Sequence, residues 1–338
     1  MGYLSRSCCN GRLVHIYPNH ERVRRLWGHA TAFIGQYAGF PLVGMDLNLD
    51  LVAAPVDGIR DLLKGRDGGS ISVIAGGARE CFVSAQDMAS AVGGKVPQWF
   101  FVLATRSRLS DADNLVVAQN ASRPVSIADV LGQSNLIERA LVGESPKNRL
   151  ERVVGALELE RPAALRNALR AYARLRTLQG SSVAAAITAF LPSSGLDAYA
   201  DIVNRTAVVL MAAAARATGG ELYAIPLVNT PADHVAPNTT VWRSDFFVRN
   251  NDVFLAATGI TENLILKGVR FPKRGRASTH TICLRSGTGS VRFITQDHDL
   301  ERKRFRLLEE SLGKHTAEGY DLSKYREISY ADVLRELK

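Results

Sequence analysis

The most restrictive feature of this chain is an apolar stretch at residues 207–216, which reads AVVLMAAAAR and is charged only at its last residue. Its Ala, Leu and Met content favours a helix, and a helix that is apolar on every side must be buried. The stretch is far shorter than the roughly 20 residues that a membrane-spanning helix needs. We therefore expect a buried helix inside a folded domain and no membrane association.

Strand and helix patterns follow one another through the rest of the chain. Alternation at residues 45–56 predicts a strand with Asp46 and Asp50 on its polar face. Residues 70–75 and 80–84 predict a hairpin, because Gly76-Gly77 lies in the connection between them. Further predicted elements are strands at 99–104, 253–257 and 279–285 and helices at 22–37, 181–191, 203–217 and 330–337, with Ser181 or Ser182 as an N-cap and Gly219-Gly220 as a helix end.

Residues 126–178 are predicted to be mainly helical, with breaks at Pro146 and Pro162. Arg166, Arg170 and Arg174 are spaced four apart, which places them on one face of a helix. Such a face is either simply solvated or a docking face for an anion or an acidic partner. Strands mixed with helices throughout predict an α/β or α+β layered fold.

Composition limits the compartment and the partners. Lys and Arg total 42 against 33 Asp and Glu, a net charge of +9 that favours anionic partners or is only a solvated basic surface. The four cysteines form no CxxC pair, so neither a disulfide framework nor a structural zinc site is indicated. Residues 1–20 contain no apolar run typical of a signal peptide, and we expect a cytoplasmic protein.

Three segments carry a family resemblance. Residues 251–271 read NDVFLAATGITENLILKGVRF, and residues 277–303 read ASTHTICLRSGTGSVRFITQDHDLERK. Residues 49–62 (LDLVAAPVDGIRDL) are followed by 71–88 (ISVIAGGARECFVSAQDM), and residues 180–187 form the third segment. In order and spacing these segments resemble class II fructose-1,6-bisphosphatases.

The resemblance implies a fold and a domain division. The fold is the layered α-β-α-β-α sugar-phosphatase architecture shared with inositol monophosphatases. Residues 1–44 are a diverged N-terminal segment, and residues 45–303 form the bisphosphatase-like domain with a diverged helical region at 105–178. Residues 304–338 are a charged C-terminal tail.

The resemblance also implies a chemistry, in which carboxylates hold Mg or Mn ions that activate a water and neutralise a phosphate ester. The family's Asp ligand falls at Ala54, one Glu ligand falls at Asp57, and a second Glu ligand falls at Ala207. Asp57 is thus the metal ligand that the resemblance leaves in place. Asp46, Asp50, Asp61 and Asp67 are either a relocated site or ordinary strand and turn residues.

Phosphate-binding positions are better retained. The resemblance places Gly58 and the turn Arg161-Pro162 beside the substrate, and it places Gly180, Ser181 and Ser182 where the family has Asp-Gly-Asp. A serine-rich helix start can hold an anion through its backbone N–H groups and the helix dipole. A basic loop at residues 270–276 adds charge.

Three hypotheses follow. The first is a phosphosugar-related protein that acts on or binds a phosphorylated sugar or cyclitol with altered or impaired metal-dependent chemistry; as an enzyme it would be a phosphoric monoester hydrolase. The second is a non-catalytic sensor or partner subunit of an active homologue, and in either case we expect a homo-oligomer. The third is a nucleic-acid binder, suggested by the arginines at 166–174 and 302–306, but without a binding motif or interleaved aromatics to support it.

Overall fold

The computed structural model describes residues 10–16, 37–38, 48–63, 65, 68–106, 108–109, 116–119, 121–142, 151–157, 163–192, 194–228, 233–249 and 252–300. Arg161, Asp46, Asp67, the predicted helix at 330–337 and all but Tyr37 of the predicted helix at 22–37 lie outside these ranges. The proposed division at residues 44 and 303 stays a prediction.

The strands belong to two large sheets and two small ribbons. They are β1 (Asn10–Ile16), β2 (Tyr37–Ala38), β3 (Asn48–Asp57), β4 (Ile71–Ala78), β5 (Trp99–Thr105), β6 (Val116–Val117), β7 (Val125–Ser126), β8 (Val153–Leu157), β9 (Arg174–Leu178), β10 (Ala198–Asn204), β11 (Glu221–Pro226), β12 (His234–Val235), β13 (Thr239–Thr240), β14 (Trp242–Arg243), β15 (Val253–Gly259), β16 (Arg270–Lys273), β17 (Arg276–Arg285) and β18 (Ser290–Asp299). The helices are α1 (Ile59–Leu63), α2 (Ala85–Ala91), α3 (Ile127–Ser134), α4 (Leu136–Val142), α5 (Ala163–Arg170), α6 (Ser182–Phe190), α7 (Arg205–Thr218) and α8 (Ser244–Phe247).

The first sheet has the order β16-β17-β15-β4-β3-β1-β2, with β18 paired to β17, and the second has the order β14-β11-β5-β10-β8-β9. In the first sheet only β1 and β3 run parallel. In the second, β8 is parallel to both of its neighbours, β9 and β10. The remaining pairs of that sheet are antiparallel.

Helices α6 and α7 lie between the two sheets and fill the main core. Helix α7 contains the apolar stretch 207–216, and Leu210 and Met211 at its centre are fully buried, which is worth about 1.5–3 kcal/mol for each side chain. Helices α3, α4 and α5 cover the opposite face of the second sheet. The order of layers is thus β-α-β-α among the described residues, and the predicted α+β layered fold and the buried helix are confirmed.

Both core helices begin and end where local chemistry predicts. Ser181 caps α6 by accepting the Ala184 N–H at 2.9 Å. Asn204 caps α7 by accepting the Ala207 N–H at 3.0 Å, and α7 ends at Gly219 in the left-handed conformation. None of the helices in the described ranges has the length and apolar character needed to cross a bilayer.

The predicted hairpin at 70–84 is wrong. Strand β4 runs without a break through Gly76 and Gly77 and pairs with β3 on one side and β15 on the other. A Cβ atom at Gly76 would lie 2.4 Å from the ring of Phe254 on β15. The glycine therefore makes room for a neighbouring aromatic ring and does not form a turn.

The predicted helical character of 126–178 is also only partly correct, because the segment contains strands β8 and β9. Helix α5 ends at Arg170, and Arg174 lies on β9, so the three arginines do not share a helix face. The predicted basic loop at 270–276 is a strand, β16, and the turn to β17. The arginine stripe behind the nucleic-acid hypothesis is therefore absent from the described part of the chain.

The second sheet contains a buried ion pair. The Nη2 of Arg243 lies 3.1 Å from the Oε2 of Glu221, and the two side chains are 3% and 6% exposed. The other carboxylate oxygen of Glu221 accepts the Ser244 N–H at 3.2 Å and also its hydroxyl. These contacts hold β14 and α8 against β11.

Candidate functional site

Three glycine-containing segments meet where β3 ends and α6 begins. Gly58 and Gly180 have φ angles of +85° and +87°. A Cβ atom at Gly180 would lie 2.5 Å from the Gly68 carbonyl oxygen, and one at Gly58 would lie 2.8 Å from the Gly180 carbonyl carbon. Both positions therefore require glycine, for conformation and for space. We call this contact of residues 57–58, 68–70 and 180–183 the glycine junction.

Backbone and side-chain hydrogen bonds fix the junction. The Ser181 N–H donates to the Gly69 carbonyl at 3.1 Å, and the Gly180 N–H donates to Oδ2 of Asp61 at 2.8 Å. The Ser70 N–H donates to the Thr261 hydroxyl oxygen at 2.8 Å. The sequence segments that carry the family resemblance thus converge on one point of the fold.

Asp57 lies at the centre of the junction and is 5% exposed. Its Oδ2 accepts the Ser181 hydroxyl at 2.5 Å and the Val183 N–H at 3.0 Å, with the Ser182 hydroxyl farther away at 3.4 Å. The carboxyl group therefore sits against the first turn of α6, where the helix dipole favours a negative charge. The sequence predicts that the N-terminus of α6 holds an anion. In the structure, the side chain of Asp57 occupies part of that position.

Burial raises the pKa of Asp57 above its ordinary value. The hydrogen bonds from Ser181, Val183 and Ser182 act in the opposite direction, because they stabilise the carboxylate, but desolvation outweighs them.

The residues present at the junction do not fit a divalent cation. Magnesium keeps near-octahedral oxygen coordination, whereas Oδ2 of Asp57 already accepts protein donors. The Ala54 and Ala207 side chains are buried in the core and offer no oxygen. Asp61 accepts the Gly180 N–H. In the part of the chain that the structure describes, no cluster of three or more His, Cys, Asp or Glu residues is placed to hold a metal.

Asp50 does not supply a relocated ligand in this arrangement. Its predicted position on a polar strand face is wrong, because the side chain is 2% exposed and accepts the Glu80 N–H at 2.7 Å. Glu80 has a φ angle of +63°, so Asp50 stabilises a tight turn after β4.

A cleft of about 290 Å³ opens beside the N-terminus of α6. Ser181 lines it together with Arg176, Gln179 and Asn263, which provide a guanidinium and two amides, and Glu262 contributes a carboxylate. No sequence signal points to Arg176, because the pattern of residues 126–178 predicts a helix where strand β9 lies. The structure brings Gly58, Gly180, Ser181, Ser182 and Asp57 together, while Arg161 lies outside the described residues.

The raised pKa of Asp57 predicts a pH dependence of stability. Above pH 3.8, the folded protein keeps a proton on Asp57 that the unfolded chain has released, so stability is lost as the pH rises through the folded-state pKa. As the pH rises through this range, the unfolding free energy of the wild type should therefore fall relative to that of Asp57→Asn. Urea unfolding between pH 3 and pH 8 measures it.

Asp87→Asn is a control of opposite sign. The Ser84 hydroxyl holds the pKa of Asp87 below its ordinary value, so the contribution of Asp87 is present above pH 3.8 and is lost as the pH falls. A pH-independent difference between wild type and Asp57→Asn would contradict the assigned desolvation of Asp57.

The two sheets, with helices between them and beside the second, define an α+β layered protein. The family described as bacterial fructose-1,6-bisphosphatase, glpX-encoded, matches residues 110–298, and the chain belongs to this family. The family resemblance inferred from the sequence is thereby confirmed. This is a family of metal-dependent phosphatases. The hydrogen-bonded Asp57 of this chain, by contrast, does not fit a divalent cation.

The names of similar proteins agree with this family assignment. The chain is 26% identical over 291 residues to the class 2 fructose-1,6-bisphosphatase of Haemophilus influenzae, covering 80% of this chain and 78% of the relative. It is 29% identical over 148 residues to the D-fructose 1,6-bisphosphatase class 2/sedoheptulose 1,7-bisphosphatase of Gloeobacter violaceus, covering 38% of this chain and 42% of that relative.

Proposed function

We propose that this chain binds a phosphorylated sugar at the cleft beside α6 and that metal-dependent ester hydrolysis at the Asp57 position is impaired. The proposed loss of metal-dependent hydrolysis rests on one observation: the Ser181 hydroxyl and the Val183 N–H both donate to Oδ2 of Asp57, so this oxygen is already engaged by the protein. The hydrogen bonds hold the carboxyl group inside the junction and leave it little freedom to move toward a metal.

Binding is supported by the family, by the formal charge of +9 and by the lining of the cleft. The guanidinium of Arg176 can donate two parallel hydrogen bonds to a phosphate. We retain Gly58, Arg161, Gly180, Ser181 and Ser182 as the substrate-side residues. The Gln179 and Asn263 amides can both donate to and accept from sugar hydroxyls.

The experiment separates binding from turnover. We expect calorimetry to detect binding of fructose 1,6-bisphosphate in the presence of EDTA. Phosphate release with added Mg²⁺ or Mn²⁺ should stay near background, because the described carboxylates form no cation cage. Arg176→Gln should weaken binding at least tenfold through loss of the bidentate contact, while Arg174→Gln, which removes an exposed arginine on the same strand, should leave it unchanged.

Rapid phosphate release that requires Mg²⁺ or Mn²⁺ and disappears in Asp57→Asn would overturn the impaired-chemistry proposal. Loss of binding on chelation would overturn metal-free binding. A phosphosugar sensor, or a partner subunit of an active relative, is the cellular role that this proposal favours. We place such a protein in the cytoplasm, as a homo-oligomer.

A further inference from the structure

A second cavity, of about 230 Å³, lies between α5 and the ends of β8, β9 and β10. We propose that this cavity binds a small hydroxylated organic phosphate of about three carbons. It lies against the face of the second sheet covered by α3, α4 and α5, whereas α6 and α7 cover the other face. Thr177 lines both this cavity and the cleft, but Arg166 and Arg170 line this cavity and not the cleft, so the two sites can be tested separately.

Chain topology creates an opening at this place. Strands β8 and β10 are parallel neighbours, but the chain leaves β8 toward α5 on one face of the sheet and leaves β10 directly into α7 on the other face. Adjacent parallel strands that are followed by helices on opposite faces of the sheet leave a crevice at their carboxyl ends, where α/β proteins commonly bind ligands.

The strand pairing shows the same separation. Strands β8 and β10 pair at Val154 with Ala198 and at Gly155 with Tyr199, and not beyond those positions. Farther along, the Leu157 N–H donates to the Asp201 side chain at 3.2 Å. A carboxylate thus takes the place of a main-chain partner, and it lines the cavity formed there.

The lining provides the chemistry of a phosphate site. Arg166 and Arg170 are four apart on α5, so their side chains project from the same side of the helix, and both line the cavity. Two guanidinium groups match the oxygens of a phosphate or carboxylate. Thr177 also lines the cavity and can bond to ligand hydroxyls, while Leu165 and others supply apolar contact.

The volume sets the size of the ligand. Since one water occupies about 30 Å³ in the liquid, the cavity corresponds to roughly eight waters. That space accommodates a three-carbon monophosphate. The two arginines against one aspartate leave a positive balance, which suits an anion that also carries hydroxyl groups.

Calorimetry on the full chain tests the site with 3-phosphoglycerate and, separately, inorganic phosphate. We expect 3-phosphoglycerate to bind more tightly than phosphate. The double variant Arg166→Gln/Arg170→Gln should weaken binding at least tenfold. Arg174→Gln is the matched control, because Arg174 is exposed and is not among the cavity-lining residues, and it should leave binding unchanged.

Thermal unfolding of each variant without ligand checks that folding is intact. If the double variant unfolds, Arg166→Gln alone replaces it, with an expected severalfold loss of 3-phosphoglycerate affinity. Arg176→Gln should impair fructose 1,6-bisphosphate binding at the cleft without changing 3-phosphoglycerate binding, so the two proposals can fail separately. The present proposal is overturned by an absence of binding, by equal binding of inorganic phosphate, or by an equal loss in Arg174→Gln.

Discussion

Gly180→Ala is expected to lower the free energy of unfolding by about 3 kcal/mol or more. The new methyl group would meet the backbone of residues 68 and 69 at 2.5–2.6 Å, and neither contact can be relieved by rotating a side chain. The left-handed φ of +87° adds a second penalty, because a Cβ atom disfavours it. Urea denaturation followed by circular dichroism measures the loss.

Gly219→Ala separates these two causes. Gly219 has a φ angle of +77°, but a Cβ atom there meets nothing within 4 Å. We expect it to lose only about 1 kcal/mol, which is the conformational part alone. Equal losses in the two variants would show that close packing at the glycine junction contributes nothing.

The second large effect is expected for Glu221→Ala, at about 3 kcal/mol or more of unfolding free energy. The substitution leaves the guanidinium of Arg243, which is 3% exposed, without its nearest carboxylate, and it removes the acceptor of the Ser244 N–H. Asp245 lies 3.7 Å from the same guanidinium nitrogen and offsets part of the loss.

Glu262→Ala is the matched control, because it removes a 3.2 Å ion pair with Arg270 whose side chains are 69% and 58% exposed. Such a pair contributes about 0–1 kcal/mol. Thermal and urea unfolding of both variants give the comparison. A Glu221→Ala variant as stable as Glu262→Ala would mean that water reaches Arg243 and replaces the lost carboxylate.

Local sequence predicted those elements that local chemistry determines. Helices α6 and α7 carry their own start signals, Ser181 and Asn204, and α7 ends at Gly219. Strands β3, β5, β15 and β17 are continuous apolar or alternating runs, and they were predicted close to their observed bounds. The three short segments named in the sequence analysis were likewise enough to indicate the family.

Elements that depend on distant partners were missed. The burial of Asp50 depends on the turn at Glu80, thirty residues away. The role of Gly76 depends on Phe254, which comes from a different part of the chain. Strand β9 reads RLRTL and lies at an edge of the second sheet, so its charged residues obscure the alternation that marks a strand.

The family resemblance predicts Asp57 as a metal ligand, and it does not predict the hydrogen bonds that this carboxyl group accepts. Its main partner, Ser181, is 124 residues away in sequence. The spacing of two residues cannot show that a hydroxyl will donate to a carboxyl group, because that contact exists only after β3, the segment at Gly69 and α6 are assembled.

The contact between Asp57 and Ser181 also constrains how this protein can change over evolution. Their oxygens are 2.5 Å apart, which leaves no space for an ion between them. A carboxylate acquired at position 181 alone would face another buried acid, and the repulsion between the two would cost stability. Substitutions at the two positions are therefore coupled, and an acid at position 181 is tolerated only when Asp57 changes with it.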